Sequence, residues 1–182
     1  NKSIEYLRKK GIAKASKKMS RVAADGLVLL NQKDSVISAI EINSETDFVA
    51  KNKDFISFCK EISEINFNNK GDLEKINSSN MKNKMSVKDN LTDLISKIGE
   101  KITLRRTEYF DKKEGNNFHY VHGVLEKNIG KIISVVKIKN IVKGKNEKVG
   151  NKLAMHVAAS NPLAIDKNDL KKEVLEKELE II

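Results

Sequence analysis

The sequence predicts an α+β fold of two small units, each an antiparallel sheet of about three strands packed with helices. Three observations carry this. β-branched runs within residues 26–43 are broken by an Asn/Asp turn, as in a hairpin. Apolar residues recur at helical spacing through residues 55–65 and again through 87–98. After the polar run "DKKEGNN", residues 111–117, the order strand, strand, helix begins again.

Taken in order, "SIEYLRKK", residues 3–10, reads as a short helix with Ile4 and Leu7 on one face and Gly11 as its stop. One apolar turn cannot bury itself, so more helix is expected upstream. Residues 12–24 read as a basic linker, with weak helical spacing through Ile12, Ala15, Met19 and Val22. "GLVLL" and "SVISAIEIN" are strands joined by the turn "NQKD". Phe55, Phe58, Cys59, Ile62 and Ile65 then form the stripe of a buried helix. Cys59 lies on that stripe, which makes it a structural thiol. Residues 66–85 are polar and Asn-rich, as in a surface loop or weak helix. "SVKDNLTDLISKIG" is a helix with a capping-box pair, Ser86 and Asp89, and a left-handed stop at Gly99. "KITLRRTEYF" is a strand able to pair with the hairpin. "FHYVHGVL" and "GKIISVVKIK" are strands joined at "EKNI", and residues 147–160 form a helix that Pro162 terminates. A last helix begins near Asp169.

The formal net charge of +10 raises the prospect of an acidic partner. Lys outnumbers Arg by 31 to 4, however, and Arg is the better residue for bidentate contacts to phosphates and bases. Direct nucleic-acid binding is therefore not expected as the main role. A single cysteine excludes an intrachain disulfide. No apolar run reaches the length of a bilayer span, so no membrane partner is expected.

Enzyme chemistry is hard to assemble from these residues. "GKII" lacks phosphate-loop spacing, and there is no Gly-x-Ser-x-Gly elbow. His119, His122 and His156 show no metal-ligand spacing with Cys59, so a surface or interface role is expected of His119 and His122. Glu41 and Glu45 carry nothing that marks them as acid and base. A binding protein is the default. Within "EINSETDFVAKN", residues 41–52, Phe48 sits where a strand gives way to a helix. Such a ring packs by default beneath its own sheet. The alternative is an exposed anchor for a partner. Position in the chain leaves both open.

"EINSETDFVAKN" resembles the signature of the elongation factor Ts family, the guanine-nucleotide exchange factors for elongation factor Tu. "YLRKKGIAKASKKMSRVAADGLV", "LISKIGEKITLRR", "YVHG" with "IGKIISVV", and "LAMHVAASNPLAI" resemble further family blocks in the family's order, covering most of residues 6–165. The resemblance implies a division into 1–25, the last helix of a ubiquitin-associated-like N-terminal module plus linker; 26–112 and 113–168, the two core halves; and 169–182, the start of a coiled-coil hairpin that dimerises full-length members. It implies truncation at both ends.

The resemblance further implies that elongation factor Tu is the partner, GDP-bound or nucleotide-free, and that no cofactor is held: the chain would act on the partner's GDP and Mg2+. Phe48 would insert near the partner's Mg2+ site and Asp47 would disturb the ion's network, with Thr46 and Val49 shaping the loop. Ile98 and Gly99 match a helix end that supports this contact, and His122 matches a second contact region. Covalent catalysis is not implied. A bacterial-type cytoplasm is implied, with an organelle matrix as the alternative. A basic RNA- or ribosome-binding module is the competing reading.

Overall fold

The computed structural model describes residues 2–139 and 147–179. Helix α1 spans Lys2–Ser16, strands β1 and β2 span Asp25–Lys33 and Val36–Ser44, and a single helical turn, α2, spans Asp47–Ala50. Helices α3, Lys53–Asn68, α4, Leu73–Ser78, and α5, Val87–Ile98, follow. Strands β3, Ile102–Phe110, β4, Asn116–His122, β5, Ile129–Gly130, and β6, Ile132–Ile138, precede helices α6, Glu147–Ser160, and α7, Lys172–Leu179.

The α+β class holds, with antiparallel sheets of four and two strands in place of about three each. The larger sheet has the order β3-β2-β1-β5 and the smaller pairs β4 with β6. The strand expected over "GKIISVVKIK" divides. Ile129 and Gly130 turn back to pair with Leu29 and Val28 of β1, and only Ile132–Ile138 pairs with β4. Backbone pairing with β1 satisfies amide groups that would otherwise line an open sheet edge.

The core lies between the larger sheet and the helices. Alternation puts Leu27, Leu29, Ile40, Ile42, Ile102 and Leu104 on the face toward the helices. The expected stripe of α3 meets them: Phe55, Cys59 and Ile62 are fully buried. Burying a side chain of the Phe55 class stabilises the fold by about 1.5–3 kcal/mol. The hairpin turns at Asp34 and Ser35, since pairing runs to Lys33 opposite Val36, later than the expected "NQKD". Asp34 supplies the left-handed φ of 54° that so tight a turn requires. The polar stretch 66–85 is more ordered than its composition suggests. It holds the end of α3 and all of α4, which Asp72 caps and Ile76 anchors in the core.

Residues 12–16 correct the linker reading. α1 continues through Gly11 rather than stopping there. Gly11 is buried against α5, where an added Cβ would lie 3.6 Å from Ser96 Oγ, and Ala15 joins the core. Close helix packing outweighs the helix-breaking tendency of glycine, worth about 1 kcal/mol. The expected pairing of Ile4 with Leu7 lies outside the described side chains. At α5 the caps are as expected. Ser86 Oγ accepts from Asp89 N–H at 3.0 Å, and the Ser86 hydroxyl lies 2.9 Å from Asp89 Oδ2. Gly99 closes the helix at φ 84°. The smaller sheet is covered by α6, whose Gly150 sits so close to the Phe118 ring that a Cβ there would meet it at 2.2 Å.

Candidate partner-binding site

β2 ends at Ser44, whose hydroxyl donates to Thr46 O at 2.9 Å and bends the chain out of the sheet. Thr46, extended at φ −127°, starts α2. At 3.6 residues per turn, Val49 and Ala50 share one side of this turn, which leaves Asp47 and Phe48 on the other. Val49 and Ala50 are buried in the core, 4% and 2% exposed. Phe48 is 78% exposed. The turn closes when Asn52 N–H donates to Val49 O at 2.9 Å, and Asn52 then caps α3 by accepting from Asp54 and Phe55.

Asp47 pairs with Lys51 at 2.9 Å on the surface. An exposed pair of this kind contributes about 0–1 kcal/mol, so the carboxylate is easily released to another partner.

Two dipeptides hold the turn. Thr46 N–H donates to Glu100 Oε2 at 3.0 Å and the Thr46 hydroxyl donates to Glu100 Oε1 at 2.8 Å. In return, Lys101 N–H donates to Glu45 Oε1 at 2.6 Å. Arg21 reaches Glu45 Oε2 at 3.3 Å, and Lys101 Nζ donates to Arg21 O at 2.9 Å. The hydrogen bond from Lys101 N–H, opposed by desolvation and helped by the Arg21 guanidinium, holds the Glu45 carboxyl below the usual range. The predicted residues Ile98 and Gly99 directly precede this clamp. Ile98 packs partly buried against the core, and the left-handed Gly99 turns the chain so that Glu100 reaches back to Thr46.

His122 is exposed at the end of β4 and touches none of these residues. Its carbonyl accepts from Lys131 N–H at 2.9 Å, and its Nδ1 lies 3.4 Å from the Tyr120 hydroxyl. Even so, it stands at the same end of the larger sheet as Phe48. Ser44 pairs with Asp25 at the start of β1, and Lys131 Nζ binds Asp25 Oδ1 at 2.5 Å. At about 4.8 Å per strand, β5 lies roughly 10 Å from β2, and His122 lies just beyond. His119 is half-buried, and burial pushes its imidazole pKa down. Among the described residues no cluster of three or more His, Cys, Asp or Glu is placed to hold a metal ion.

Sequence reasoning passed over Arg21, Glu100 and Lys101, and found no role for Glu45. Glu100 and Lys101 meet the turn across 54 and 56 positions. The nearest local signal was the expected stop at Gly99 directly before a carboxylate.

Comparison with known proteins adds a second line. The model of the family described as Elongation factor TS matches residues 45–182. An elongation factor Ts of Methylobacterium sp. (strain 4-46) is 39% identical over 184 residues, covering 99% of this chain and 59% of its own length. That of Xanthobacter autotrophicus is 40% identical over 184 residues, with the same coverage. That of Bradyrhizobium diazoefficiens is 38% identical over 181 residues, covering 98% of this chain and 58% of its own length. The chain thus spans about 59% of the length of the curated relatives it matches.

Proposed function

The chain belongs to the elongation factor Ts family, and from that premise we propose that it binds elongation factor Tu carrying GDP and promotes GDP release by disturbing the partner's Mg2+ site, so that GTP can enter. In this reading it is an exchange factor without covalent chemistry and holds no cofactor of its own. The observation that carries the proposal is the exposed Phe48 ring on a turn fixed from beneath by Val49 and Ala50. A rigid exposed ring suits insertion into an apolar pocket, since aromatic side chains carry large contact area. Asp47, paired on the surface with Lys51 among the described residues, can exchange that partner for charges around the ion. The cation is the largest local charge at a nucleotide site, and disturbing it weakens phosphate binding.

Exchange then follows from linkage. If the factor weakens nucleotide affinity by some ratio, nucleotide weakens factor affinity by the same ratio. Thr46 and Val49 set the loop, Ile98 and Gly99 support it, and His122 serves a second contact. The proposed halves, 26–112 and 113–168, carry the two regions, and a bacterial-type cytoplasm is the proposed setting. The deciding experiment titrates this chain into elongation factor Tu loaded with fluorescent GDP. Release should accelerate with chain concentration and saturate, whereas release at the spontaneous rate throughout refutes the proposal.

One observation favours RNA binding as a second reading. Residues 2–21 hold eight of the 35 Lys and Arg residues against one acidic residue, Glu5. Lys9, Lys10, Lys14 and Lys17 are exposed along α1 and just beyond it. RNA binding whose affinity falls steeply with salt would support it.

A further inference from the structure

Thr46 is the N-cap of α2, yet its side chain makes no cap hydrogen bond. A threonine there ordinarily accepts from the second or third backbone N–H of its helix. Here the hydroxyl is a donor, committed to Glu100 Oε1, while Thr46 N–H donates to Oε2. Both oxygens of one carboxylate are thus engaged by one residue. Glu45 returns the contact through Lys101 N–H. Bonds to an ionised carboxylate are roughly twice as strong as neutral ones. α2 has four residues, too few to hold its own direction. Val49 and Ala50 pin its underside, and Glu100 pins the end from which Phe48 projects.

We propose that Glu100 is a positioning residue for nucleotide exchange. Its carboxylate, aimed by the left-handed cap at Gly99, holds the Thr46 turn so that Phe48 projects in one orientation. The inference deepens the exchange reading and rests on it. Glu100 acts through the ring and not on the partner. A ring ordered in advance spares the interface the entropy of immobilising it at docking.

The test uses Glu100→Ala and Glu100→Gln, each with Phe48 present and with Phe48→Ala. One readout is the rate of fluorescent GDP release from elongation factor Tu at saturating chain. The other is the fluorine resonance of 4-fluorophenylalanine at position 48 in the chain alone. Glu100→Ala should slow release about tenfold, on the scale of losing charge-assisted hydrogen bonds. In the Phe48→Ala background it should change the rate less than about twofold, since nothing is left to position. It should also shift or split the fluorine resonance. Glu100→Gln keeps one acceptor oxygen and should recover part of the rate. Thr46→Val, which removes only the hydroxyl bond, should show a smaller slowing with the same cancellation, and covers the case in which Glu100→Ala fails to fold. Full-rate release by Glu100→Ala overturns the inference alone, as does an equal loss in both backgrounds. A wild-type chain that leaves GDP at its spontaneous rate overturns the exchange reading and the role in exchange with it. The fluorine resonance still decides whether Glu100 fixes the ring.

Discussion

Truncating Phe48 to alanine separates the anchor role from a role in folding. The ring is 78% exposed, and its loss opens no cavity. A surface substitution of this kind changes stability by about 0.5 kcal/mol or less. For a chain of this size that is roughly 1–2 °C in Tm. If Phe48 anchors the proposed interface, the same truncation removes a contact worth about 2 kcal/mol. Every 1.4 kcal/mol is about tenfold, so coupling to elongation factor Tu should weaken about 30-fold. The assay is stopped-flow release of fluorescent GDP across a range of chain concentrations, with a thermal melt of the same sample. Phe55, seven positions on and fully buried, is the control. Phe55→Ala should cost about 3–5 kcal/mol of stability. Wild-type release by Phe48→Ala would refute the anchor. A fall in its melting temperature comparable to that of Phe55→Ala would refute the structural reasoning.

Three further outcomes follow from the structure. Gly99→Ala has open space around the new methyl group but must adopt φ 84°. That costs about 1–2 kcal/mol, so a melt should fall by roughly 2–8 °C, and an unchanged melt would contradict it. Acid should destabilise the fold through Glu41 and Glu45. Burial alone would push the Glu41 carboxyl up, but hydrogen bonds from Arg106 and Asn43 and the Arg106 and Arg105 charges outweigh it and hold it low. Groups with lowered folded pKa stabilise above the unfolded value, about 4.3 for glutamate, and lose that contribution as pH falls through the folded one. The urea midpoint should therefore drop below about pH 4.3, and Glu41→Gln should flatten the drop. Finally, burial pushes the Cys59 thiol well up, so a thiol reagent should react with it only in denaturant.

The helices at 53–68 and 87–98 were legible because their signals are local. Apolar side chains recur every three to four residues, Ser86 and Asp89 cap one end, and Gly99 closes the other. The hairpin and the core stripe through Phe55, Cys59 and Ile62 were legible for the same reason. So was the family resemblance, carried by contiguous blocks.

Tertiary structure decided what depends on residues far apart. α1 passes Gly11 because α5 packs against it. Gly130 leaves its expected strand, and Ile129 its expected turn, because β1 has amide groups to pair. At position 48, the residues alone left a buried ring and an exposed one both open, and only the resemblance favoured exposure. The structure exposes it because Val49 and Ala50 take the inner side of a single turn. Glu100 and Lys101 meet Thr46 and Glu45 across more than fifty positions, a pairing no local period encodes. Periodicity specifies which face of an element is apolar; which distant carboxylate holds a turn is set only when the sheet brings the two segments side by side.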